Sequence, residues 1–367
     1  MKFSCTQENL NKGLLIVSHI ASKNITLPIL NNVLIKAENG ALKLSATNLE
    51  IGVYCTLRGK IEKEGNFTVQ AKLLSDYISL LPNIRVDFEL KDGNLYIESE
   101  SGKTIIKGTP ADEFPLIPQV EKKQGYSCNP KEFKKALSQV IFAAAFDESR
   151  PEISGVLMNF IDNELILAAT DSYRLAEKRI KLEKSAKAAK SVIVPTKTLQ
   201  ELIRVLDESV ENFEIYLNEN QILFSFNEVG IISRLIEGQY PNYQQIIPKE
   251  HRTEIKLFNK DLIKAVKSAS LFCKPGINDV GLEIKAEEKK IVISAFNTQV
   301  GENTSSLDGE VKGENNSIVF NYRYLLDGLQ NIDTENLILE FTNNANPGVI
   351  KPENQNDYIY LIMPIKQ

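Results

Sequence analysis

The run Leu44-Ser45-Ala46-Thr47-Asn48 returns as Leu167-Ala168-Ala169-Thr170-Asp171 and, more faintly, as Ile293-Ser294-Ala295-Phe296-Asn297. The two intervals are 123 and 126 residues. A second landmark keeps the same period. Val69-Gln70-Ala71-Lys72-Leu73-Leu74 is echoed by Val194-Pro195-Thr196-Lys197-Thr198-Leu199 and by Phe320-Asn321-Tyr322-Arg323-Tyr324-Leu325, at intervals of 125 and 126. A third is the apolar-Pro pair near the end of each copy, Phe114-Pro115, Tyr240-Pro241 and Met363-Pro364, at 126 and 123. Three independent landmarks at one period mark three homologous units. The period is far longer than a solenoid repeat, so each unit is expected to be a domain with its own core. Polar, turn-forming stretches at 118–125 and 248–254 serve as linkers. The expected domains are 1–120, 126–246 and 252–367.

Each unit reads as helix, strands, helix, strands. Leu10, Leu14, Leu15 and Val17 form a helix-period stripe. Asn129-Pro130-Lys131-Glu132 opens the second copy's helix, with Asn suited to the cap and Pro to the first helical position. Strands 32–37 and 41–46 flank Asn39-Gly40, a hairpin dipeptide. A short helix at 72–81 has counterparts at 196–206 and 322–330, and strands 85–90 and 94–100 flank Lys91-Asp92-Gly93. The expected class is α+β, with antiparallel sheets carrying two helices on one side of each domain.

With 367 residues, 43% hydrophobic and 25% charged, the chain can bury a sizeable core and is not a disordered one. No signal peptide is read at the start, and no apolar run approaches the roughly 18 residues a membrane span needs. Cys5, Cys55, Cys128 and Cys273 are scattered, which suits buried thiols in a reducing cytoplasm. His19 lies within an apolar helical run and is expected to be structural; His251 is expected in a solvated linker. With two histidines in the chain, histidine-based metal or triad chemistry is not expected, and no cofactor is implied.

A net charge of −5 argues at first against nucleic acid. Its distribution changes that. The expected helices 8–23, 72–81, 131–146, 196–206, 260–274 and 322–330 hold thirteen bases against six acids, a net +7, which leaves −12 elsewhere. A basic helical surface on an acidic shell fits phosphate contact without base readout.

Three tandem α+β domains with these motifs resemble the bacterial sliding clamps, the beta subunit of the DNA polymerase III holoenzyme. The opening Met1-Lys2-Phe3 and Thr26-Leu27-Pro28-Ile29-Leu30-Asn31-Asn32 are similar to the family's first domain, and Thr170-Asp171-Ser172-Tyr173-Arg174-Leu175-Ala176 to its second. Tyr240-Pro241-Asn242-Tyr243 and the ending Met363-Pro364-Ile365-Lys366 resemble its peptide pocket and terminus. The resemblance implies the DNA clamp fold and a head-to-tail homodimeric ring around duplex DNA, with helices lining the hole. Lys23, Asn24, Lys72, Lys197, Asn321 and Tyr324 match positions that face DNA in the family. Ile106 on one side, and Leu271 and Phe272 on the other, are the candidates for the dimer contact.

The resemblance also implies a pocket for short peptides of the replicative polymerase, the clamp loader and other proteins with a clamp-binding motif. Carried over, its candidates are Arg150, Ile153, Thr170, Ser172, Tyr173, Arg174, Leu175, Pro241, Gln245, Ile246, Leu361, Ile362, Met363, Pro364 and Ile365. Leu175, Ile246, Leu361 and Ile362 are expected as apolar walls, Met363 as an adaptable one, and Arg150 and Arg174 as forked donors. The repeat period puts Leu27 and Ile51, then Gly276 and Val300, where the middle copy has these arginines. The middle copy therefore has something of its own there. Gln245 stands where some members carry Arg, and Gln367 where others end on an apolar residue.

Two other readings compete. Asp171, Ser172 and Tyr173 invite a catalytic one, yet no Gly-x-Ser-x-Gly elbow, P-loop or zinc spacing accompanies them, so no catalytic residue is assigned. A protein-interaction scaffold that never encloses DNA is the second. A cytoplasmic, non-enzymatic protein is the expectation.

Overall fold

Each expected hairpin forms around its turn residues. Asn39 and Gly40 take φ of 52° and 75° between the strands Asn32–Glu38 and Ala41–Thr47, and Asp92 and Gly93 take 49° and 72° between Arg85–Lys91 and Asn94–Ser99. Two successive positive φ values give the turn whose twist matches the flanking strands. These details come from a computed structural model, which describes residues 1–21, 26–123, 125–147, 149–184, 189–207 and 209–366.

Among the described residues the six α-helices are α1 (Gln7–Val17), α2 (Ala71–Leu80), α3 (Pro130–Ile141), α4 (Thr196–Val205), α5 (Asn259–Ser270) and α6 (Tyr322–Gln330). Pro130 opens α3 as expected, and Thr6 caps α1 by accepting the Asn9 N–H at 3.4 Å. Leu10, Leu14 and Val17 are buried, but Leu15 is half exposed; Gly13 completes the inner stripe instead. A Cβ at Gly13 would stand 2.7 Å from the Leu57 side chain, so the missing side chain sets how closely α1 meets its sheet.

Three helices stop short of the expected ends, each for a local reason. The last bond of α1 runs from the Ser18 N–H to the Leu14 carbonyl. Beyond α3 the Ala145 N–H turns to the Ile153 carbonyl, and beyond α5 the Phe272 and Cys273 N–H groups take i−3 carbonyls. Lys274 therefore leaves the helical tally, and Lys23 lies outside the described residues. The helices hold eleven bases against six acids, a net +5, leaving −10 elsewhere. The sign of the asymmetry stands and its size shrinks.

The chain forms two compact units, Met1–Pro130 with Gln200–Leu235, and Lys131–Leu199 with Ile236–Gln367. They cut across the sequence repeats because sheets continue over repeat boundaries. In the first unit, Ile51–Arg58 of the first repeat pairs antiparallel with Val229–Arg234 of the second, through Cys55↔Val229, Tyr54↔Gly230 and Gly52↔Ile232. In the second unit, Arg174–Lys181 pairs with Tyr358–Ile362 of the third repeat, through Arg174↔Ile362 and Leu175↔Leu361. The strand in the same place in the third repeat, Gly301–Asp308, lies at the edge of a four-stranded sheet, with Lys290–Asn297 as its neighbour. The last strand of the first repeat, Gly102–Thr109, pairs throughout with Asn94–Ser99 but meets Gly65–Gln70 only at Gly108 and Thr109. Most of its other edge is unpaired among the described residues.

Cores follow the strand alternation. Val33, Ile35, Leu44, Val69 and Ile78 are buried in the first repeat, and Val280, Leu282, Ile293 and Leu325 in the third. All four cysteines are buried. His19 is not a core residue: its side chain is mostly exposed past the end of α1, with Nδ1 2.5 Å from Glu201 Oε1. No helix among the described residues is long and apolar enough to cross a membrane.

Candidate partner-binding site

The middle repeat's Thr-Asp-Ser turn is built like its counterpart in the first repeat. Thr170 Oγ1 donates to the Arg174 carbonyl at 2.6 Å and accepts the Ser172 N–H; Asp171 Oδ1 accepts the Tyr173 and Arg174 N–H groups at 2.9 and 3.0 Å. Thr47 and Asn48 make the same set of bonds to Ile51, Leu49 and Glu50. Leu49 and Ser172 share a positive φ, 78° and 77°. Thr170 and Asp171 thus hold a strand-end turn common to two repeats, and this arrangement leaves no Asp–Ser dyad.

What the first repeat lacks is Arg174. Its guanidinium is buried, lying 4.6 Å from the Tyr324 ring centre and 5.6 Å from that of Phe142. It donates to Asp171 Oδ2 at 2.9 Å and to Asp327 Oδ2 of α6 at 2.5 Å. These two donors are engaged within the chain. Arg150 remains at the surface, donating to Ser172 Oγ at 2.9 Å and pairing with Glu152 at 3.3 Å.

The apolar candidates divide by strand parity. Leu175 and Leu361 face each other across the sheet inside a closed cluster with Leu157, Ala168, Ile193, Tyr243 and Val349. Ile362 and Ile153 are buried as well. The exposed apolar surface consists of Tyr173, Ile246 and Met363, at 62%, 45% and 37% exposure. Pro241, Pro364 and Ile365 are half-buried and Gln245 is exposed.

Met363 joins the parts. Its N–H donates to the Tyr173 carbonyl at 2.8 Å, and two residues on, Ile365 donates to the Val319 carbonyl at 2.8 Å. The Met363 side chain lines a cavity of about 490 Å³, with Gln245, Ile246 and Pro248 on one side and Thr342, Asn346 and Pro347 on the other. Tyr240 and Tyr243 fix the approach to this segment. They meet edge to face at 6.3 Å, and Tyr243 donates to Glu177 Oε2 at 2.6 Å. Burial, then for Tyr243 the Glu177 carboxylate, raises both phenols far above their ordinary range.

Sequence reasoning missed the loop at 342–347. Its signal was the Asn-rich run ahead of Pro347-Gly348, where Asn343 Oδ1 accepts the Ala345 and Asn346 N–H groups. Tyr324 was matched to a DNA-facing position. That ring stacks on Tyr173 at 6.3 Å, beside the pocket candidates. Of the other residues matched to DNA-facing positions, Lys72 on α2 and Lys197 on α4 are exposed, and Asn321 caps α6 by accepting the Arg323 N–H at 3.0 Å. Lys23, Asn24 and Gln367 lie outside the described residues.

The three dimer candidates also separate. Leu271 is 76% exposed and Phe272 is half-buried, 3.8 Å from where a Cβ on Gly301 would stand. Ile106 is 3% exposed, whereas Ile105 is 56% exposed, because alternate residues of one strand face opposite sides. Among the described residues, His251, Glu254 and Glu340 could gather around a cation. Lys312 and Lys351 already neutralise the two carboxylates, at 2.7 and 2.8 Å.

Comparison with known proteins covers the whole chain. The DNA polymerase III beta subunit family matches in three parts: its N-terminal domain over residues 1–118, its central domain over 127–242 and its C-terminal domain over 244–366. The beta sliding clamp of Synechococcus elongatus is 31% identical over 374 residues, covering 100% of this chain and 99% of that one. The beta sliding clamp of Bacillus subtilis is 29% identical over 376 residues, covering both chains in full. The crystal structure of the Bacillus subtilis DNA polymerase sliding clamp superposes with a TM-score of 0.96 at 29% identity, over 100% of this chain and 99% of that chain. A Pseudomonas aeruginosa sliding clamp bound to griselimycin gives 0.95 at 25% identity, with 100% of each chain covered. With three α+β repeats in order and a match from end to end, the chain belongs to the DNA polymerase III beta subunit family, the bacterial sliding clamps.

Proposed function

We propose that the chain is a processivity factor: two copies close head to tail into a ring that encircles duplex DNA without reading its sequence. The ring tethers the replicative polymerase, the clamp loader and other proteins with a clamp-binding motif, and does so in the cytoplasm. The end-to-end likeness to a DNA polymerase sliding clamp carries this reading. The domains would run 1–120, 126–246 and 252–367.

Strand order supports the ring. The first repeat's Ile51–Arg58 pairs with the last strand of the second repeat, and the second repeat's Arg174–Lys181 with the last strand of the third. Continued once more, this pattern pairs Gly301–Asp308 with a strand like Gly102–Thr109; among the described residues the first has an unpaired edge and the second a mostly unpaired one. Exposed edges are an aggregation hazard, and pairing with a second copy removes it. Leu271 and Phe272, beside Gly301, and Ile105, next to Ile106, would supply the apolar contact. The basic excess on the helices supports weak phosphate contact that permits sliding, with Lys23, Asn24, Lys72, Lys197, Asn321 and Tyr324 as candidates.

For partner peptides, Tyr173, Ile246 and Met363 offer an apolar surface, with Arg150 and Gln245 at its rim and Tyr324 behind Tyr173. Thr170, Ser172, Arg174, Leu175, Pro241, Leu361, Ile362, Pro364 and Ile365 would position that surface. The mass in solution tests the assembly: a dimer is expected, and a monomer at all concentrations contradicts the ring.

A further inference from the structure

A second cleft lies in the first unit, where residues 117–122 cross the sheet. It encloses about 350 Å³, and its walls include Lys43, Tyr54, Ile117, Val120, Lys122 and Ile232. Two glycines make room for it. A Cβ at Gly52 would stand 2.7 Å from Ile117, and one at Gly230 would stand 2.3 Å from the Tyr54 ring. Glycine at both positions lets the crossing segment and the ring lie flat on the sheet. Val120, Tyr216, Leu223 and Ile232 close the apolar floor.

Two ammonium groups line this cleft. Lys43 Nζ sits 4.3 Å from the centre of the Tyr54 ring. Lys122 Nζ donates to Ser225 Oγ at 2.9 Å and lies 6.0 Å from the Tyr216 ring centre. Among the described residues neither has a carboxylate partner. Lysines close by in the chain do: Lys36 with Glu38 at 3.7 Å and Lys123 with Glu121 at 2.7 Å. Aromatic faces and a hydroxyl satisfy an ammonium only in part, and an arriving carboxylate would form charge-assisted bonds to it.

The cleft's place in the repeat is informative. The 126-residue interval between Pro115 and Pro241 carries residues 117–122 onto 243–248, of which 245–248 line the cavity beside Met363. Both clefts lie beside a cross-repeat strand pair, Gly52↔Ile232 in one and Leu175↔Leu361 in the other. The fold therefore makes this kind of cleft twice and gives one copy a pair of cations without carboxylate partners.

We propose that the cleft under residues 117–122 is a second docking site, for a short peptide that carries acidic residues beside one apolar anchor. The anchor packs on Ile117 and Ile232, and the carboxylates meet Lys43 and Lys122.

The chain contains no Trp, so a tryptophan anchor reports binding directly. The probe is the blocked peptide Ser-Glu-Glu-Trp-Glu-Gly-Ser, titrated with the full-length protein. A saturable emission shift is expected. Lys43→Gln with Lys122→Gln should weaken binding at least about tenfold, as should Gln for Glu in the peptide. Deleting residues 363–366 should leave it unchanged. If the lysine variant melts unlike the parent, the Gln peptide decides, because it uses the unaltered protein. Three results overturn the proposal: no saturable shift at millimolar peptide, indifference to both charge changes, or loss of binding on the deletion.

Discussion

Arg174 Nη1 lies 2.5 Å from Asp327 Oδ2, a bond that ties the second repeat to the third through the buried guanidinium. No equivalent arginine exists in the other repeats, where the period puts Ile51 and Val300. A buried cation with two carboxylates and two rings around it is costly to unpair. Arg174→Ala should therefore cost about 3 kcal/mol in urea unfolding. Asp327→Ala should cost only about 1 kcal/mol, because Asp327 is half exposed and Asp171 still pairs the guanidinium. Equal losses from the two variants would contradict this division of roles.

The surface around Met363 makes a different prediction. Met363→Ala should weaken a polymerase-derived peptide by about 1–2 kcal/mol, and removal of residues 363–367 should abolish its binding. Both variants should keep the oligomeric state of the parent. Sedimentation alongside a fluorescence titration checks both parts, and unchanged affinity in the truncated chain rules out this surface.

Strand parity predicts which interface residue matters. Leu271→Asp and Ile105→Asp place charge on exposed positions, so both should fold and shift the protein toward monomer. Ile106→Ala empties a core position instead, so it should cost about 2–4 kcal/mol in stability. Ultracentrifugation with thermal melting separates the two effects. A folded dimer of Leu271→Asp at micromolar concentration would contradict the proposed edge pairing.

Alkaline pH should loosen the fold. Burial pushes the Cys5 and Cys55 thiols up to about 12. Below an unfolded value of about 8.5 both states hold the proton, and these thiols add no pH dependence. Above it the unfolded chain loses the proton first, so stability falls by up to about 1.4 kcal/mol per pH unit for each group until the folded thiol ionises. Urea midpoints at pH 8 and pH 10.5 should differ, and Cys5→Ala with Cys55→Ala should narrow the gap. Buried Tyr243 and Tyr358 add to the loss at the upper end.

The repeat, the hairpins and the helix order were legible because they rest on local chemistry. Asn39-Gly40 and Asp92-Gly93 dictate their turns wherever they occur. The site was legible as a set of segments but not as a surface. Leu175 and Leu361 look like pocket walls in the sequence, yet each occupies the inner parity of its strand, and only a register gives that. Arg174 reads as a free donor because Asp327 and Tyr324 lie about 150 residues away. Ile106 and Ile105 differ only in which face of one strand they take. The charge split survived because it needs only helix membership, and its size changed where Lys274 proved to lie past a helix end and Lys23 outside the described residues.

Enclosure of DNA is the central claim, and salt separates it from surface binding. The protein is loaded by its clamp loader onto a nicked circular plasmid, washed in high salt, and the plasmid is then cut once. A ring is predicted to stay on the circle through the wash and to leave after the cut. Binding through phosphate contacts alone would fade with salt on both forms alike, and that result would contradict the account.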